Sequence, residues 1–205
     1  MRINEIFYSL QGEGHYAGTP AVFVRFSGCN LKCPFCDTDF HSFREMSIPE
    51  ILREISVYPA RRVILTGGEP TLQLTAPFMN ALHEAGYTIH IETNGTNELP
   101  APADWVTCSP KSTAKPNLQS IDELKIVYQG EDDDPSQFLS IPAAEYYLQP
   151  CDTGDPDCNR HILEAAIDYV KANPQWRLSL QTHKLTGIRL SLIHISEPTR
   201  HLRIS

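Results

Sequence analysis

The sequence predicts an α/β protein: an incomplete β/α barrel of mostly parallel strands. Three observations carry that expectation. Short β-branched and aromatic runs alternate with helix-periodic segments along the 205 residues, the pattern of parallel strands joined by crossover helices. The repeat units are too few for the eight of a closed ring. Most strands also finish in polar or glycine-rich residues: TGGEP, ETNG, CSPK, LQP and QTHK. The carboxyl ends of parallel strands converge on one mouth, where α/β folds keep their chemistry, so this convergence points to an enzyme.

The elements follow in order. EIFYSL and AVFVRFSG read as the first strands, and a cysteine-rich stretch follows the second. Ser47 with Glu50 three residues on is a capping box, and Ile48, Ile51, Leu52 and Ile55 make the apolar face behind it. RRVILTGG and YTIHIETNG are strands; between them TLQLTAPFMNALHEAG is helical from about Thr75 and stops at Gly86. DWVTCSPK, DELKIVY, EYYLQP and WRLSLQTHK complete the strands, with His183 and Lys184 expected to end the last one and face the cavity. CNRHILEAAIDYVKANP places Ile162, Ala165, Ala166 and Tyr169 on one helix face and ends before Pro174.

Composition narrows the function classes. Apolar residues are 41% of the chain, enough for one real core. Net charge is −8 and no basic stripe appears, which argues against phosphate-tracking nucleic-acid binding. The acidic run Glu131–Asp134 reads as a solvated loop. No window reaches the roughly 18 apolar residues of a membrane helix. The N-terminus has no apolar core of a signal peptide, so a cytoplasmic location with reduced thiols is expected.

The end of the chain breaks the pattern. LSLIHISEPTR, from Leu190, is the in-frame translation of a transposon-type sequencing adapter. One domain over residues 1–189 is therefore expected, with residues 190–205 a non-native tail.

Cys29, Cys33 and Cys36 lie within eight residues as C-x3-C-x2-C. Structural zinc wants four closed ligands, and His41 is near enough in sequence to complete a Cys3His site. Ordinary iron–sulfur carriers also use four cysteines. Three thiolates on a [4Fe–4S] cluster instead leave one iron open to an external chelator. Cys108, Cys151 and Cys158 lie far away, without a readable role.

This spacing resembles the radical S-adenosylmethionine superfamily, where the open iron is chelated by the amino and carboxylate groups of S-adenosylmethionine. The resemblance implies a radical S-adenosylmethionine core, with Phe35 beside adenine and Gly68 and Glu69 of TGGEP holding the methionine end. INEIFYSLQGEGHYAGTPAVFVRFSGCNLKCPFCDT, with ILTGGEP, IETNGT, VTCSPK, DELKIV, YYLQP and LSLQTHK, closely resembles the 7-carboxy-7-deazaguanine synthases over roughly residues 3–189. That family carries out a ring-contracting lyase reaction of deazapurine and queuosine biosynthesis on a pterin, 6-carboxy-5,6,7,8-tetrahydropterin.

The resemblance implies substrate contacts from Leu10, Gln11, Gly12, Arg25 and Thr93, with Glu13 a further polar partner. A guanidinium fork suits the substrate carboxylate, and Arg25 lies in an apolar strand, where a charge wants a reason. It assigns Phe35, Cys36, Asp37, Gly95, Ser109, Pro110, Lys111, Gln149 and Pro150 to S-adenosylmethionine, and Thr38 to Mg2+. Magnesium prefers hard oxygen ligands of that kind. It further implies a flavodoxin or ferredoxin electron donor and a homodimer. Two other readings stand beside it: a glycyl-radical activating enzyme, which shares the cysteine motif, and a non-enzymatic zinc module on Cys29, Cys33, Cys36 and His41.

Overall fold

The computed structural model describes residues 1–34, 36, 42–111 and 115–188. Alternating apolar residues in the first two runs become an antiparallel hairpin, β1 (Arg2–Leu10) and β2 (Pro20–Phe26), with the two-residue β3 (Arg44–Glu45) on the far edge of β1. From β2 onward every pairing is parallel: β4 (Arg62–Gly67), β5 (Thr88–Thr93), β6 (Trp105–Cys108), β7 (Glu123–Tyr128), β8 (Glu145–Pro150) and β9 (Trp176–Leu178). Among the described residues the sheet has nine strands in the order β3-β1-β2-β4-β5-β6-β7-β8-β9. Its two ends do not pair, so it is a partial barrel, as expected.

The helices start where local chemistry allows. The Glu50 carboxylate accepts from the Ser47 backbone N–H at 2.7 Å and opens α1 (Ile48–Ile55), which buries Ile51 and Ile55 completely. Thr75 caps α2 (Ala76–Glu84), and Gly86 ends it in the left-handed region. Asp155 accepts from the backbone N–H groups of Asp157 and Cys158 and starts α3 (Pro156–Ala172), which buries Ile162 and Ala166. Asp134, within the acidic run, caps a 3-10 turn at Pro135–Ser140. Among the described residues no helix is long and apolar enough to cross a membrane.

Period-two alternation divides each strand between two environments. Val22, Val24 and Phe26 of β2, with Ile89 and Ile91 of β5, pack under α1 and α2. Leu124, Ile126 and Tyr128 of β7 pack in a second cluster with Ile162, Ala166 and Trp176. The alternate residues, Phe23, Arg25, Glu92, Lys125 and Val127, line a cavity on the opposite face.

One expected element differs. The last strand ends at Leu178, and QTHK does not extend it: Gln181 leads into α4 (Thr182–Thr186). The reason is tertiary. Thr182 donates both its N–H and its hydroxyl to the Gly12 carbonyl at 2.9 Å, turning the chain against the β1–β2 connection.

At the end of β4, Gly67 has φ +128°, and a Cβ there would sit 2.2 Å from the Phe26 carbonyl oxygen. Only glycine lets β4 and β2 stay paired as the chain turns into GGEP. Gly67→Ala is therefore expected to cost about 2 kcal/mol or more, from backbone strain plus the clash. The urea unfolding midpoint at neutral pH measures it.

Candidate functional site

The carboxyl ends of the parallel strands open onto a cavity of about 990 Å3. Such a volume is large enough for a nucleotide-sized cofactor beside a small heterocycle. The loop after β2 brings Cys29, Cys33 and Cys36 to its wall; β4 contributes Gly68, β5 Thr93, and the β6 end Ser109 and Lys111. Gln149 and Pro150 enter from β8, Arg25 from β2, and Gln11 and Glu13 from the β1–β2 connection. The other expected residues in the described part stand behind this wall. Leu10 ends β1, Gly12 anchors Thr182, Gly95 caps β5, and Pro110 is buried. Phe35, Asp37 and Thr38 lie outside the described residues, as do Asp39 and His41.

Glu69 has a different position from the one its motif suggests. It is wholly buried and absent from the cavity wall. Its Oε1 accepts from the Thr71 backbone N–H (3.1 Å), the Thr71 hydroxyl (2.6 Å) and the Thr93 hydroxyl (2.7 Å). Its Oε2 accepts from the Asn94 N–H at 2.7 Å, and its own N–H donates to the Gly28 carbonyl at 2.9 Å. One residue thus ties the ends of β4 and β5 together through its carboxylate and to the start of the cysteine loop through its N–H.

All three clustered thiols are free of disulfides. Burial pushes the Cys33 thiol up, Lys111 partly offsets this, and the neighbouring Cys36 and Cys29 thiolates add to the rise. The three sulfurs therefore share one electrostatic neighbourhood facing the cavity. Soft donors from a single loop, lining free space, are the donor type an iron–sulfur cluster takes. Their sulfurs are not drawn together as for a single ion: among the described residues, no group of three or more His, Cys, Asp or Glu side chains is placed to hold a metal ion. The remaining cysteines are separate. Cys108 is fully buried, its thiol pushed up to about 12 by burial and then by Glu69. Cys151 lines the cavity, and Cys158 is exposed on α3.

A model of the radical SAM superfamily matches residues 23–127. A 7-carboxy-7-deazaguanine synthase of Bacteroides thetaiotaomicron is 54% identical over 188 residues, covering 92% of this chain and 98% of the relative. The chain belongs to the 7-carboxy-7-deazaguanine synthase family. The Caulobacter vibrioides enzyme of that name is 40% identical over 208 residues, with 91% and 98% covered. The crystal structure of QueE from Escherichia coli superposes with a TM-score of 0.72 at 30% identity, covering 89% of this chain and 94% of the other. Membership of this family sets aside the glycyl-radical activating enzyme and the zinc module.

Within the cavity, sequence reading passed over a group of charges. Lys125 of β7 is buried and donates to Glu13 Oε2 at 2.7 Å and Glu92 Oε2 at 3.0 Å. Gln11 Nε2 donates to Glu92 Oε1, and Gln181 Nε2 to Glu13 Oε1, each at 3.0 Å. His183 and Lys184 also reach the cavity from α4, and Lys184 pairs with Asp152 beyond β8. The missed signal was available: Lys125 in DELKIV and Glu92 in IHIET are charges inside apolar strands, as Arg25 is.

Burial opposes the charge on Glu13, but the Lys125 ammonium and the Gln181 hydrogen bond hold its carboxyl down at about 2. Burial, with Glu123 and Glu13 nearby, pushes the Glu92 carboxyl up to about 7 against the pull of Lys125. Burial also disfavours the Lys125 charge, yet the three carboxylates raise its pKa. The depressed Glu13 pKa contributes stability that is complete above its ordinary value of 4.5 and is lost as pH falls toward about 2. Urea unfolding of wild type and Glu13→Gln between pH 5 and about 2.5 should show a shallower acid loss in the variant.

Proposed function

We propose that this chain is a carbon–nitrogen lyase that converts 6-carboxy-5,6,7,8-tetrahydropterin to 7-carboxy-7-deazaguanine with loss of ammonia. The observation that carries the reading is one cavity lined by two chemically distinct sets of residues. Cys29, Cys33 and Cys36 are one set; Arg25, Gln11 and Glu13 are the other. The match to the synthases along nearly their whole length supports the substrate.

Cys29, Cys33 and Cys36 would hold a [4Fe–4S] cluster, and Gly68, Ser109, Lys111, Gln149 and Pro150 would receive S-adenosylmethionine. Glu69 and Gly95 support that pocket from behind, through the hydrogen bonds of Glu69 to the β5 end and of the Gly95 N–H to the Thr93 hydroxyl at 3.0 Å. The pocket reading extends to Phe35, Cys36 and Asp37, and Mg2+ binding to Thr38. When bound, the cluster and S-adenosylmethionine supply a carbon-centred radical able to remove hydrogen from the substrate.

The protein's own contribution is position and exclusion of water. Arg25, its Nε fixed by Glu5 Oε1 at 2.8 Å and its guanidinium 5.7 Å from the Phe7 ring centroid, faces the substrate carboxylate. Phe7 and Phe23 stack 4.9 Å apart and make that side dry. Thr93 and Gln11 meet the ring edge, with Glu13 beside them, while Leu10 and Gly12 hold that segment from behind the wall. Gly12 can lie close to His183 only because it lacks a side chain: a Cβ there would be 2.3 Å from the His183 Nδ1.

The same reading includes a flavodoxin- or ferredoxin-type reductant, a homodimer and a cytoplasmic setting. It takes residues 1–189 as the working domain and residues 190–205 as adapter-derived. The 188-residue alignment with the Bacteroides relative, which spans 98% of that protein, supports this boundary.

Anaerobically prepared protein is expected to be brown, with about four irons per chain and absorption near 400 nm, and Cys33→Ala should lose most of both. A colourless wild type would sink the cluster. Incubated with the carboxy-tetrahydropterin, S-adenosylmethionine, Mg2+ and a reductant, the wild type should form the deazaguanine. Arg25→Lys should lower kcat/KM about 10-fold or more, mostly through KM, because an ammonium cannot reproduce the guanidinium fork.

A further inference from the structure

We propose that Lys125 and Glu92 are positioning residues for the substrate: a closed ring of charge-assisted hydrogen bonds through them holds Gln11 and Glu13 in one geometry. The inference rests on the reading that Gln11 and Glu13 face the substrate. The ring can be followed atom by atom. The Gly12 N–H donates to Gln11 Oε1 at 2.8 Å, and Gln11 Nε2 donates to Glu92 Oε1 at 3.0 Å. Lys125 Nζ bridges Glu92 Oε2 and Glu13 Oε2, and the backbone from Glu13 to Gly12 closes the circuit. Gln181 braces Glu13 from outside the ring.

Three parts of the fold meet there: the β1–β2 connection, the end of β5 and the middle of β7. The Lys125 side chain is only 5% exposed, so its charge is balanced by protein rather than by water. Without it, two carboxylates would face each other in the same dry space with Glu123 close by, and one would take a proton. The ring also dictates what the wall offers a ligand. Each carboxylate oxygen keeps a second lone pair. The wall therefore suits the N–H groups of an aminopyrimidinone edge, and a ring lacking those donors would leave it unmatched.

Glu92 must be ionised to accept from both Gln11 and Lys125. The charged groups facing it are Lys125 and Glu123 from β7 and Glu13 from the β1–β2 connection. Its carboxyl is pushed up to about 7, so the ring assembles as pH rises through that value.

The test uses the iron-loaded enzyme. Lys125→Met is expected to raise KM about 30-fold or more with a smaller fall in kcat, while iron content and S-adenosylmethionine affinity hold. In wild type, kcat/KM should rise across pH 6–8, and the isosteric Glu92→Gln should flatten that limb. An unchanged KM in Lys125→Met, or an unchanged limb in Glu92→Gln, overturns the proposal; the second variant decides if the first does not fold. Infrared spectra of the holoenzyme, edited on labelled glutamate, read the ring without turnover. Glu13 should stay ionised at pH 4 in wild type and take up a proton there in Lys125→Met. Wild type inactive on the tetrahydropterin, with those bands behaving as expected, would fail the substrate assignment and leave the ring standing. Bands identical in the two proteins would fail the ring.

Discussion

The arrangement of this mouth depends on one buried carboxylate. Glu69 has no contact with solvent, and its four hydrogen-bond donors come from Thr71, Thr93 and Asn94. A charge taken out of water persists only where such donors replace the lost hydration, each charge-assisted bond contributing about 1.5–3 kcal/mol. The geometry of GGEP follows from that need. Gly67 lets the backbone turn within reach of β2, the Glu69 N–H reaches the Gly28 carbonyl, and the cysteine loop leaves the sheet from a fixed point. The acidic residue of GGEP is, in this fold, the knot between the strand ends from which the neighbouring residues emerge.

Charge on the opposite side of the cavity is organised differently. Glu13, Glu92 and Lys125 do not have balanced charges if all three are ionised, and the burial they share raises one carboxyl while the ammonium lowers the other. The same cation serves both, so the two acids titrate in separate windows. This gives that part of the cavity wall a fixed pattern of acceptors, distinct in chemistry from the thiols of the cysteine loop.

Much of the site was legible because its chemistry is concentrated in contiguous motifs. C-x3-C-x2-C, TGGEP, ETNG and SPK each reveal themselves within a few residues, and the strand that precedes each one says where its residues emerge. Arg25 came from the family resemblance, and a guanidinium in an apolar strand gave it a physical reason. The same reasoning put to Lys125 of DELKIV and Glu92 of ETNG would have found them as buried charges, but not as a group, because their partners lie 33 to 112 residues away. The turn of QTHK into α4 was hidden for a related reason: its cause is the Gly12 carbonyl, far back in the chain.

Local physics is enough to determine the strand and helix succession, the capping box at Ser47, the helix start at Thr75, the parallel pairing implied by crossovers, and the three thiols of a cluster loop. Those features arise from period, capping and spacing, all within about a dozen residues. Tertiary structure alone decided that Glu69 ties the ends of β4 and β5, that α4 closes against the β1–β2 connection, and that one lysine joins two acids in a ring. Each of these depends on which buried charge finds which distant partner, and pairing across the sheet is settled only when the strands are in register.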